Sequence, residues 1–407
     1  MRILLLIIQY PPDSNPTGRL MAQVAAGLRA HGHHVAVISA FPHYERFQIE
    51  PAYRGRLFAR DGDTMRLWVF ANGKKDRMLH RLASYLSFNA LATLAGLLRR
   101  PAYDVILAPN GSFFTGIAAA IIGKAHGCPF VYNVQDLYPE VPVSAGQLTN
   151  PYAIAGLARL EGLMYRAAAH ISVIAPSFHA NLLAKGVPAS KLALIPNFVD
   201  TAFIRPLPRH NAFSHAHALD AHFVVSYAGN LGYVYDLHSV LEAAALLAPH
   251  PDILFLIVGD GVSKPELEQR ARALGLTNVR FLPFQPLEQL PQMRATADIQ
   301  LSPHRPGTTG YSLPSKLYEV MASARPLLVS ADADSDVARL VASAGCGLSL
   351  PPGDPARLAD AILALRADPA RRASMGAAGR RYAEQHLSPR VVIDQYHDLL
   401  TNVKRRA

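Results

Sequence analysis

The sequence predicts an α/β fold in which two doubly wound, Rossmann-like parallel-sheet domains follow each other along the chain. Short apolar runs alternate with stretches of helical spacing, as is typical of parallel sheets covered by helices on both faces. A polar stretch rich in Pro and His divides these runs into two series. The length of 407 residues also suits two domains better than one core.

The first series contains six predicted strands and the second contains five. They cover residues 3–8, 35–39, 105–108, 130–133, 171–174 and 193–195, then 224–228, 254–258, 279–281, 299–301 and 327–329. We expect a first domain over 1–200, a linker over 201–221, a second domain over 222–388, and a helix over 389–407 that crosses back to the first domain. Ligands of such folds bind at the carboxyl ends of the strands, so we expect both domains to face a central cleft.

The composition indicates a globular protein of a reducing compartment. Hydrophobic residues make up 50% of the chain and charged residues 17%. Two distant cysteines, Cys128 and Cys346, match neither a disulfide framework nor a metal-ligand spacing. The apolar start of the chain ends at Pro11 and Pro12 without a small-residue cleavage site, so we interpret it as a buried strand of a cytoplasmic protein.

The net charge of +10 is concentrated in the first half of the chain. Residues 1–200 contain 19 Lys and Arg against 11 Asp and Glu, while residues 201–407 contain 21 against 19. Within the basic stretch 46–100 lies an uncharged run of 17 residues, 82–98, at the short limit for spanning a bilayer. Its polar residues favour a core helix or a membrane-surface helix with a cationic rim, and both remain open. Nucleic-acid binding is not expected, because stacking aromatics are not interleaved with the basic residues.

The most informative motif runs from Tyr311 to Glu319, between a predicted strand and a helical pattern. The start of a helix attracts anions through its unpaired N–H groups, and Lys316 adds a full positive charge. Glu319 lies about one turn inside, where a carboxylate can accept paired sugar hydroxyls. The motif therefore predicts a cradle for a nucleotide diphosphate, with donor contacts from Tyr311, Ser312, Leu313, Pro314, Ser315, Lys316 and Glu319. In the alternative interpretation Ser315 only caps the helix, Glu319 complements its dipole and Lys316 is solvated.

Glycine turns follow two other strands of the second domain and the first strand of the chain. The candidate donor contacts in these turns are Gly229, Asn230, Gly232, Gly259 and Gly18. Glycine lets the backbone approach a ligand closely. We expect Gly18 in a flexible loop before a helix that begins near Leu20. Neither a GxGxxG fingerprint nor a Walker A motif is present.

Acidic residues give one candidate catalytic group and no expected metal site. Asp136 follows the predicted strand 130–133, where it could orient an acceptor hydroxyl, act as a base, or simply cap a helix. The tract from Asp332 to Asp336 contains an Asp-x-Asp pattern, but it follows a strand as a solvated or helix-capping cluster would. We expect neither a metal nor another cofactor beside the nucleotide-sugar co-substrate.

Together these motifs resemble the GT-B fold glycosyltransferases of the retaining family 4, group 1, and especially the WcaI-like branch of colanic-acid and O-antigen synthesis. The resemblance covers nearly the whole chain. It is carried by the Pro-Pro opening loop, Gly27-Leu28, His31-Gly32-His33, Asp136-Leu-Tyr-Pro-Glu140, Ile195-Pro-Asn197, Tyr227-Ala-Gly229-Asn230, Val258-Gly259-Asp260-Gly261 and Leu313-Pro-Ser-Lys316-Leu-Tyr.

The resemblance implies metal-independent transfer of a sugar from a UDP- or GDP-sugar, with retention at the anomeric carbon. In such enzymes the leaving phosphate is thought to deprotonate the incoming hydroxyl, so the catalytic residues Asp136, Lys316 and Glu319 would position groups and neutralise charge. Glu319 is then expected at the ribose hydroxyls and Phe284 beside the base.

This sequence departs from the wider family pattern at three positions. Tyr311 replaces the first acid of the E-x7-E motif, and Asn230 and Asp236 replace two diphosphate cations. Lys316, with Arg305 or Arg19, is expected to supply the missing charge.

The sequence as a whole predicts a cytoplasmic enzyme held at the inner face of the cell membrane through its basic first domain. Its partners would be a nucleotide-sugar donor and a lipid-linked or saccharide acceptor in polysaccharide synthesis. Two alternatives stay open, a non-hydrolysing nucleotide-sugar epimerase and a catalytically weak nucleotide-sugar-binding partner of another transferase.

Overall fold

The structure, a computed structural model, describes residues 1–74, 77–98, 102–144, 146, 148–308 and 314–406. The chain forms two compact units. Unit 1 comprises Met1–Asn197 and Pro389–Ala407, and unit 2 comprises Phe198–Ser388. Each unit is an α/β structure built on its own sheet, so the predicted fold class is confirmed.

Unit 1 contains an eight-stranded sheet in the order β3-β4-β2-β1-β5-β6-β7-β8. All neighbouring strands pair in parallel except β3 and β4, which form an antiparallel hairpin at one edge. The strands are β1 Arg2–Leu6, β2 His34–Ala40, β3 Phe58–Asp61, β4 Thr64–Leu67, β5 Val105–Pro109, β6 Phe130–Val134, β7 His170–Val173 and β8 Leu192–Leu194.

Seven helices belong to unit 1 within the described residues. They are α1 Pro16–Ala30, α2 Met78–Leu98, α3 Thr115–His126, α4 Glu140–Ser144, α5 Pro151–Ala167, α6 Pro176–Ala184 and, from the end of the chain, α15 Pro389–Arg406. Helix α15 packs on α1, where a Cβ on Gly27 would lie 2.6 Å from the side chain of Ile393. The Tyr396 hydroxyl also accepts a hydrogen bond of 3.1 Å from Asn133 on β6. Both contacts attach the end of the chain to unit 1.

Unit 2 contains a six-stranded parallel sheet in the order β11-β10-β9-β12-β13-β14. The strands are β9 Phe223–Ala228, β10 Ile253–Val258, β11 Val279–Leu282, β12 Ile299–Pro303, β13 Leu327–Ser330 and β14 Gly347–Leu350. The helices are α7 Ala212–Ala216, α8 Leu237–Leu246, α9 Lys264–Ala273, α10 Leu290–Thr296, α11 Lys316–Ala322, α12 Asp336–Ala344, α13 Pro355–Ala367 and α14 Pro369–His386.

The structure adds elements that the sequence patterns did not predict. The hairpin β3–β4 and the strand β14 are additional, and the segment 201–221, expected as a linker, lies in unit 2 and contains α7. Helix α1 begins at Pro16 rather than near Leu20, because the Asn15 side chain caps it by accepting the Gly18 amide at 3.0 Å.

Candidate active site

Lys316 lies at the first position of α11, and its ammonium group is held in an aromatic cage. Its Nζ donates to the Tyr227 hydroxyl at 3.1 Å. The same atom lies 3.3 Å from the ring centroid of Tyr235 and 4.3 Å from that of Tyr227. The next residue of α11, Leu317, is fully buried, and burial of such a side chain contributes about 1.5–3 kcal/mol. The cage and the helix packing together fix the position of the charge.

Burial changes the protonation of the groups around this cage. Desolvation, and secondly the positive charge of Arg294, lower the pKa of Lys316 well below its ordinary value, against an opposing effect of Glu319. Desolvation also lowers the pKa of His304 to about 4, and the charge of Lys316 adds to that shift. His304 is therefore neutral at physiological pH, and an anion bound beside Lys316 would favour the charged form of the lysine.

Glu319 is held by a buried arginine that the sequence analysis did not identify. One guanidinium nitrogen of Arg294 donates to Glu319 Oε2 at 2.7 Å, and the other donates to Gln300 Oε1 at 3.1 Å. The Arg294 side chain is 5% exposed and that of Glu319 is 30% exposed. The ion pair therefore orients the carboxylate while leaving part of it accessible to a ligand.

The glycine turns of unit 2 are packed against each other at the carboxyl ends of β9 and β10. A Cβ on Gly259, whose φ is +147°, would lie 1.9 Å from the carbonyl oxygen of Gly229. A Cβ on Gly229 would lie 3.4 Å from Lys316 Nζ. A Cβ on Gly232 would lie 2.9 Å from the side-chain amide nitrogen of Asn230. The peptide oxygen of Asn230 accepts a hydrogen bond from Tyr227 at 2.7 Å. Gly229 therefore lies against Lys316, Gly259 packs on Gly229, and Gly232 packs on Asn230.

The remaining predicted donor residues fall at different places. Phe284 follows β11 and is 59% exposed, and Pro314 and Ser315 immediately precede α11. Ser315 makes no side-chain capping bond. Tyr311, Ser312 and Leu313 lie outside the described residues.

Gly18 differs from its expected setting. It lies in the first turn of α1 rather than in a loop, and its amide is already bonded to Asn15. A Cβ there would lie 2.6 Å from the carbonyl oxygen of Gln9. Close packing of the helix on the segment that follows β1 therefore explains this glycine, and its contact with a donor phosphate stays a prediction.

In unit 1, Asp136 lies just after β6 in a loop fixed by a buried amide. Asn110, after β5, accepts from the backbone N–H groups of Gln135 and Asp136 at 2.7 and 3.2 Å and donates to the Asp136 carbonyl at 2.6 Å. Desolvation raises the pKa of the Asp136 carboxyl above its ordinary value. Among the described residues, none donates a hydrogen bond to that carboxylate, which is free to accept one from a ligand.

Asp136 lines a cavity of about 680 Å³ in unit 1, a size suited to a small-molecule ligand. The cavity wall combines aromatic rings, hydroxyls and amides with one basic residue. Its lining residues are Gln9, Asn15, Thr17, Tyr44, Phe47, Met78, Arg81, Tyr85, Gly111, Asp136 and Tyr138. A larger cavity of about 800 Å³ lies between α5 and the end of α6, but it contains none of the predicted site residues.

The helix α2, which contains the uncharged run, presents a row of exposed leucines. They recur every three to eight residues, at Leu79, Leu82, Leu86, Leu94 and Leu98, with exposures between 40% and 76%. Exposed Lys74 and Arg77 precede the helix. Among the helices that the structure describes, none has the length and apolar content needed to cross a membrane.

The acidic tract after β13 is used within the protein. Asp332 accepts from the Gly307 amide at 3.0 Å, and Asp336 pairs with Arg339 at 2.8 Å. Within the described ranges, no three His, Cys, Asp or Glu side chains are grouped so that they could hold a metal ion.

Comparison with protein families accounts for both units. A family model described as "glycosyl transferase 4-like domain" matches residues 17–197, and one described as "glycosyl transferases group 1" matches residues 211–382. The chain is a glycosyltransferase with a 4-like domain followed by a group 1 domain. The family resemblance that the sequence motifs indicated is therefore confirmed.

Two curated relatives of this glycosyltransferase match most of its length. A protein of Escherichia coli (strain K12), named as the colanic acid biosynthesis glycosyl transferase WcaI, is 28% identical over 84% of this chain and 86% of its own. The probable glycosyltransferase WbjE of Pseudomonas aeruginosa is 26% identical over 80% of this chain and 82% of its own.

A solved structure shows the same fold. HepE of Anabaena, crystallised in complex with UDP, superposes with a TM-score of 0.74 over 99% of this chain and 100% of its own, at 19% identity. The GT-B architecture predicted for this glycosyltransferase is therefore confirmed.

Proposed function

We propose that this glycosyltransferase transfers a sugar from a UDP- or GDP-sugar to a lipid-linked or saccharide acceptor, with retention of anomeric configuration and without a metal. It would work at the cytoplasmic face of the cell membrane in the synthesis of a cell-surface polysaccharide. The observation that carries this proposal is the caged ammonium of Lys316 beside the interlocked glycine turns of unit 2.

The donor would bind at the carboxyl edge of the unit 2 sheet. Lys316 would neutralise the diphosphate, the free part of the Glu319 carboxylate would accept the ribose hydroxyls, and Phe284 would lie beside the base. Because the cage and the Arg294 ion pair hold Lys316 and Glu319 before any ligand arrives, little reorganisation would be needed as the diphosphate leaves. Tyr311, Ser312 and Leu313 remain predicted donor contacts.

In the reaction the bond between the anomeric carbon and the diphosphate breaks and a bond to the acceptor oxygen forms. The leaving phosphate takes the proton of the attacking hydroxyl, so this mechanism requires no protein nucleophile. Asp136 would accept a hydrogen bond from the acceptor and orient it. Holding reactants in this way accounts for a large part of enzymatic rate enhancement.

The cavity around Asp136 favours a transferase over the epimerase alternative. An epimerase transforms the sugar of its nucleotide substrate without an acceptor, whereas unit 1 provides a separate cavity with its own carboxylate. An acceptor is the ligand that such a second cavity would serve.

Helix α2 supports a peripheral position at the membrane. Its leucine row would enter the interfacial region of the bilayer, while Lys74 and Arg77 would contact anionic head groups. This geometry needs no membrane-spanning segment.

The test is transfer of labelled sugar from a panel of UDP- and GDP-sugars to a detergent-solubilised bacterial lipid extract, with and without EDTA. We expect label in the organic phase from one donor, unaffected by EDTA, and NMR of the product should show the anomeric configuration of the donor. An inverted product would contradict the retaining mechanism, and loss of transfer in EDTA would contradict metal independence.

A further inference from the structure

We propose that Asp13 is a positioning residue that holds the wall of the unit 1 cavity, so that a bound acceptor and not water receives the sugar. The inference rests on the proposed function and deepens it, because it names a residue that decides between these two acceptors. Asp13 lies in the segment between β1 and α1. It is not one of the described residues that line the cavity, so it would act through those that do.

Two segments of the chain contribute to the cavity wall. The segment after β1 supplies Gln9 and Asn15, and the segment after β2 supplies Tyr44 and Phe47. Because β1 and β2 are parallel neighbours, both segments leave the sheet at its carboxyl edge. The strands themselves end before the wall begins. The spacing of the two segments therefore depends on contacts made beyond the sheet.

The Asp13 carboxylate makes such a contact. Its Oδ1 atom accepts hydrogen bonds from the backbone N–H groups of His43 and Tyr44, both at 2.9 Å. The Asp13 side chain is only 5% exposed, so water competes little for these charge-assisted bonds. The carboxylate does not cap α1, because the cap of that helix is Asn15. Asp13 therefore joins the segment after β1 directly to Tyr44 of the wall.

Each of the two segments is also attached to other parts of unit 1. On the first segment, the Pro11 carbonyl accepts a hydrogen bond of 2.5 Å from Arg66 of β4, a residue that is 2% exposed. On the second, the Gly73 N–H group donates to the Phe47 carbonyl at 2.6 Å. Phe47 has a φ of +50°, which is unfavourable for phenylalanine and is kept only where the surroundings hold it. Asp13 thus links two segments that are each anchored.

A displaced wall would change the fate of the sugar. When water replaces the acceptor, the bond between the anomeric carbon and the diphosphate still breaks, a bond to the water oxygen forms, and the leaving phosphate takes the water proton. A misplacement of about 1 Å can slow an oriented reaction about 100-fold, whereas water needs no such orientation. Exclusion of water is also what limits this side reaction. A loosened wall should therefore slow transfer more than hydrolysis.

The experiment measures how labelled sugar divides between lipid product and free sugar, with the donor that supports transfer and the same solubilised lipid extract. Asp13→Leu removes both hydrogen bonds and should lower the ratio of transfer to hydrolysis about 10-fold or more. Asp13→Glu keeps the charge but lengthens the side chain by one methylene, and it should lower the ratio as well. Asp13→Asn keeps an oxygen that can accept from both N–H groups and should retain the wild-type ratio.

The ratio separates positioning from stability. Both products come from the folded enzyme, so a smaller folded fraction lowers them equally and leaves their ratio unchanged. The matched control is Asp104→Leu. Asp104 likewise accepts a backbone N–H group, that of Arg2 at 2.6 Å, but it lies at the amino end of β5 and outside the wall that the described residues form. This variant should keep the wild-type ratio.

Several results would overturn the inference. They are an unchanged ratio in Asp13→Leu and Asp13→Glu, an equal fall in Asp13→Asn, and an equal fall in Asp104→Leu. If Asp13→Leu yields no folded protein, the ratio in Asp13→Glu decides. Absence of transfer by the wild type with every donor would overturn the proposed function and this inference with it. Wild-type transfer together with an unchanged ratio in the variants would remove only the role of Asp13.

Discussion

The carboxyl edges of the two sheets differ in how their charged groups are held. In unit 2, Lys316 is enclosed by Tyr227 and Tyr235, and Glu319 is paired with Arg294. In unit 1, Asp136 lines an open cavity and receives no hydrogen bond from the described residues. The charged side chains of unit 2 are therefore held in place before a ligand binds, whereas the Asp136 carboxylate of unit 1 can still accept a hydrogen bond from a ligand.

The difference follows from the chemistry proposed for each unit. A leaving diphosphate develops charge during the reaction, and fixed groups stabilise that charge best because they need not reorganise. An acceptor hydroxyl stays nearly neutral and needs orientation more than charge. Removing the charge of Lys316 in unit 2 should therefore reduce catalysis more than removing the charge of Asp136 in unit 1.

The largest effect is expected from Lys316→Met, which removes the caged charge but keeps an apolar stem. Turnover should fall about 10²-fold or more, on the scale of losing one preorganised charge-stabilising group. Steady-state kinetics with the identified donor measures this, and Lys316→Arg should restore part of the loss. The matched control is Arg357→Met, which removes an exposed charge of unit 2 on α13 and should leave turnover unchanged. Turnover of Lys316→Met close to that of the wild type would show that the cage has no catalytic role.

A smaller effect is expected from Arg294→Leu, which frees Glu319 from its ion pair. The donor KM should rise about 30-fold while kcat changes less, because a carboxylate that is no longer held binds the ribose poorly. The melting temperature should fall as well, since breaking a buried ion pair costs about 3 kcal/mol. Arg294→Lys keeps the charge and should recover stability more than donor affinity. Equal losses of kcat and of affinity would argue against a positioning role.

Asp136→Asn tests unit 1. We expect kcat to fall about 10-fold, which is the effect of losing one hydrogen bond to a charged group, while donor affinity stays unchanged. The pH profile gives a second measure. Desolvation within the cavity raises the pKa of Asp136, so wild-type activity should be lost as pH falls through that raised value. The variant should lack this acidic limb. An acidic limb that persists in Asp136→Asn would assign it to another group.

The smallest effect is expected at Tyr235, whose ring lies against Lys316. Tyr235→Leu should lower turnover about 5-fold, because an exchange of ring for alkyl group removes a cation–π contact of about 1 kcal/mol. Tyr235→Phe keeps the ring and should retain nearly full turnover. An equal loss of turnover in Tyr235→Phe and Tyr235→Leu would assign the effect to the hydroxyl and not to the ring.

Apolar periodicity was sufficient to predict most of the fold. All eleven predicted strands are present. Most of them are buried and therefore form continuous apolar runs, while β8 and β11 lie at sheet edges and are partly exposed. The hairpin β3–β4 was missed because its two strands have only four residues each and half of these residues are polar. Its buried Arg66 donates a hydrogen bond to the Pro11 carbonyl. The strand β14 was missed because it has only four residues and begins with a glycine, Gly347. A Cβ at this position would lie 1.9 Å from the Leu327 carbonyl oxygen, so the neighbouring strand requires the glycine here.

The candidate site was predictable only where local motifs mark it. Lys316 and Glu319 lie in one motif, and the glycine turns follow strand ends. Nothing in the sequence joins Arg294 to Glu319, 25 residues apart, or Tyr235 to Lys316. Such pairs depend on how separate helices and loops pack on the sheet, which one sequence does not specify. The position of Arg81 in the wall of the unit 1 cavity could not be predicted for the same reason, because Arg81 is one of many basic residues in its stretch of sequence.

The most direct test of the central claim, that the caged Lys316 of unit 2 forms the donor diphosphate site, is a thermal-shift panel of UDP, GDP and ADP on four proteins. These are the wild type, Lys316→Met, Glu319→Ala and Arg81→Gln. A ligand that binds the folded state raises the melting temperature according to its occupancy. We expect one nucleotide to shift the wild type and Arg81→Gln equally, with the shift strongly reduced in the two unit 2 variants. A shift that survives in Lys316→Met and Glu319→Ala would contradict the account.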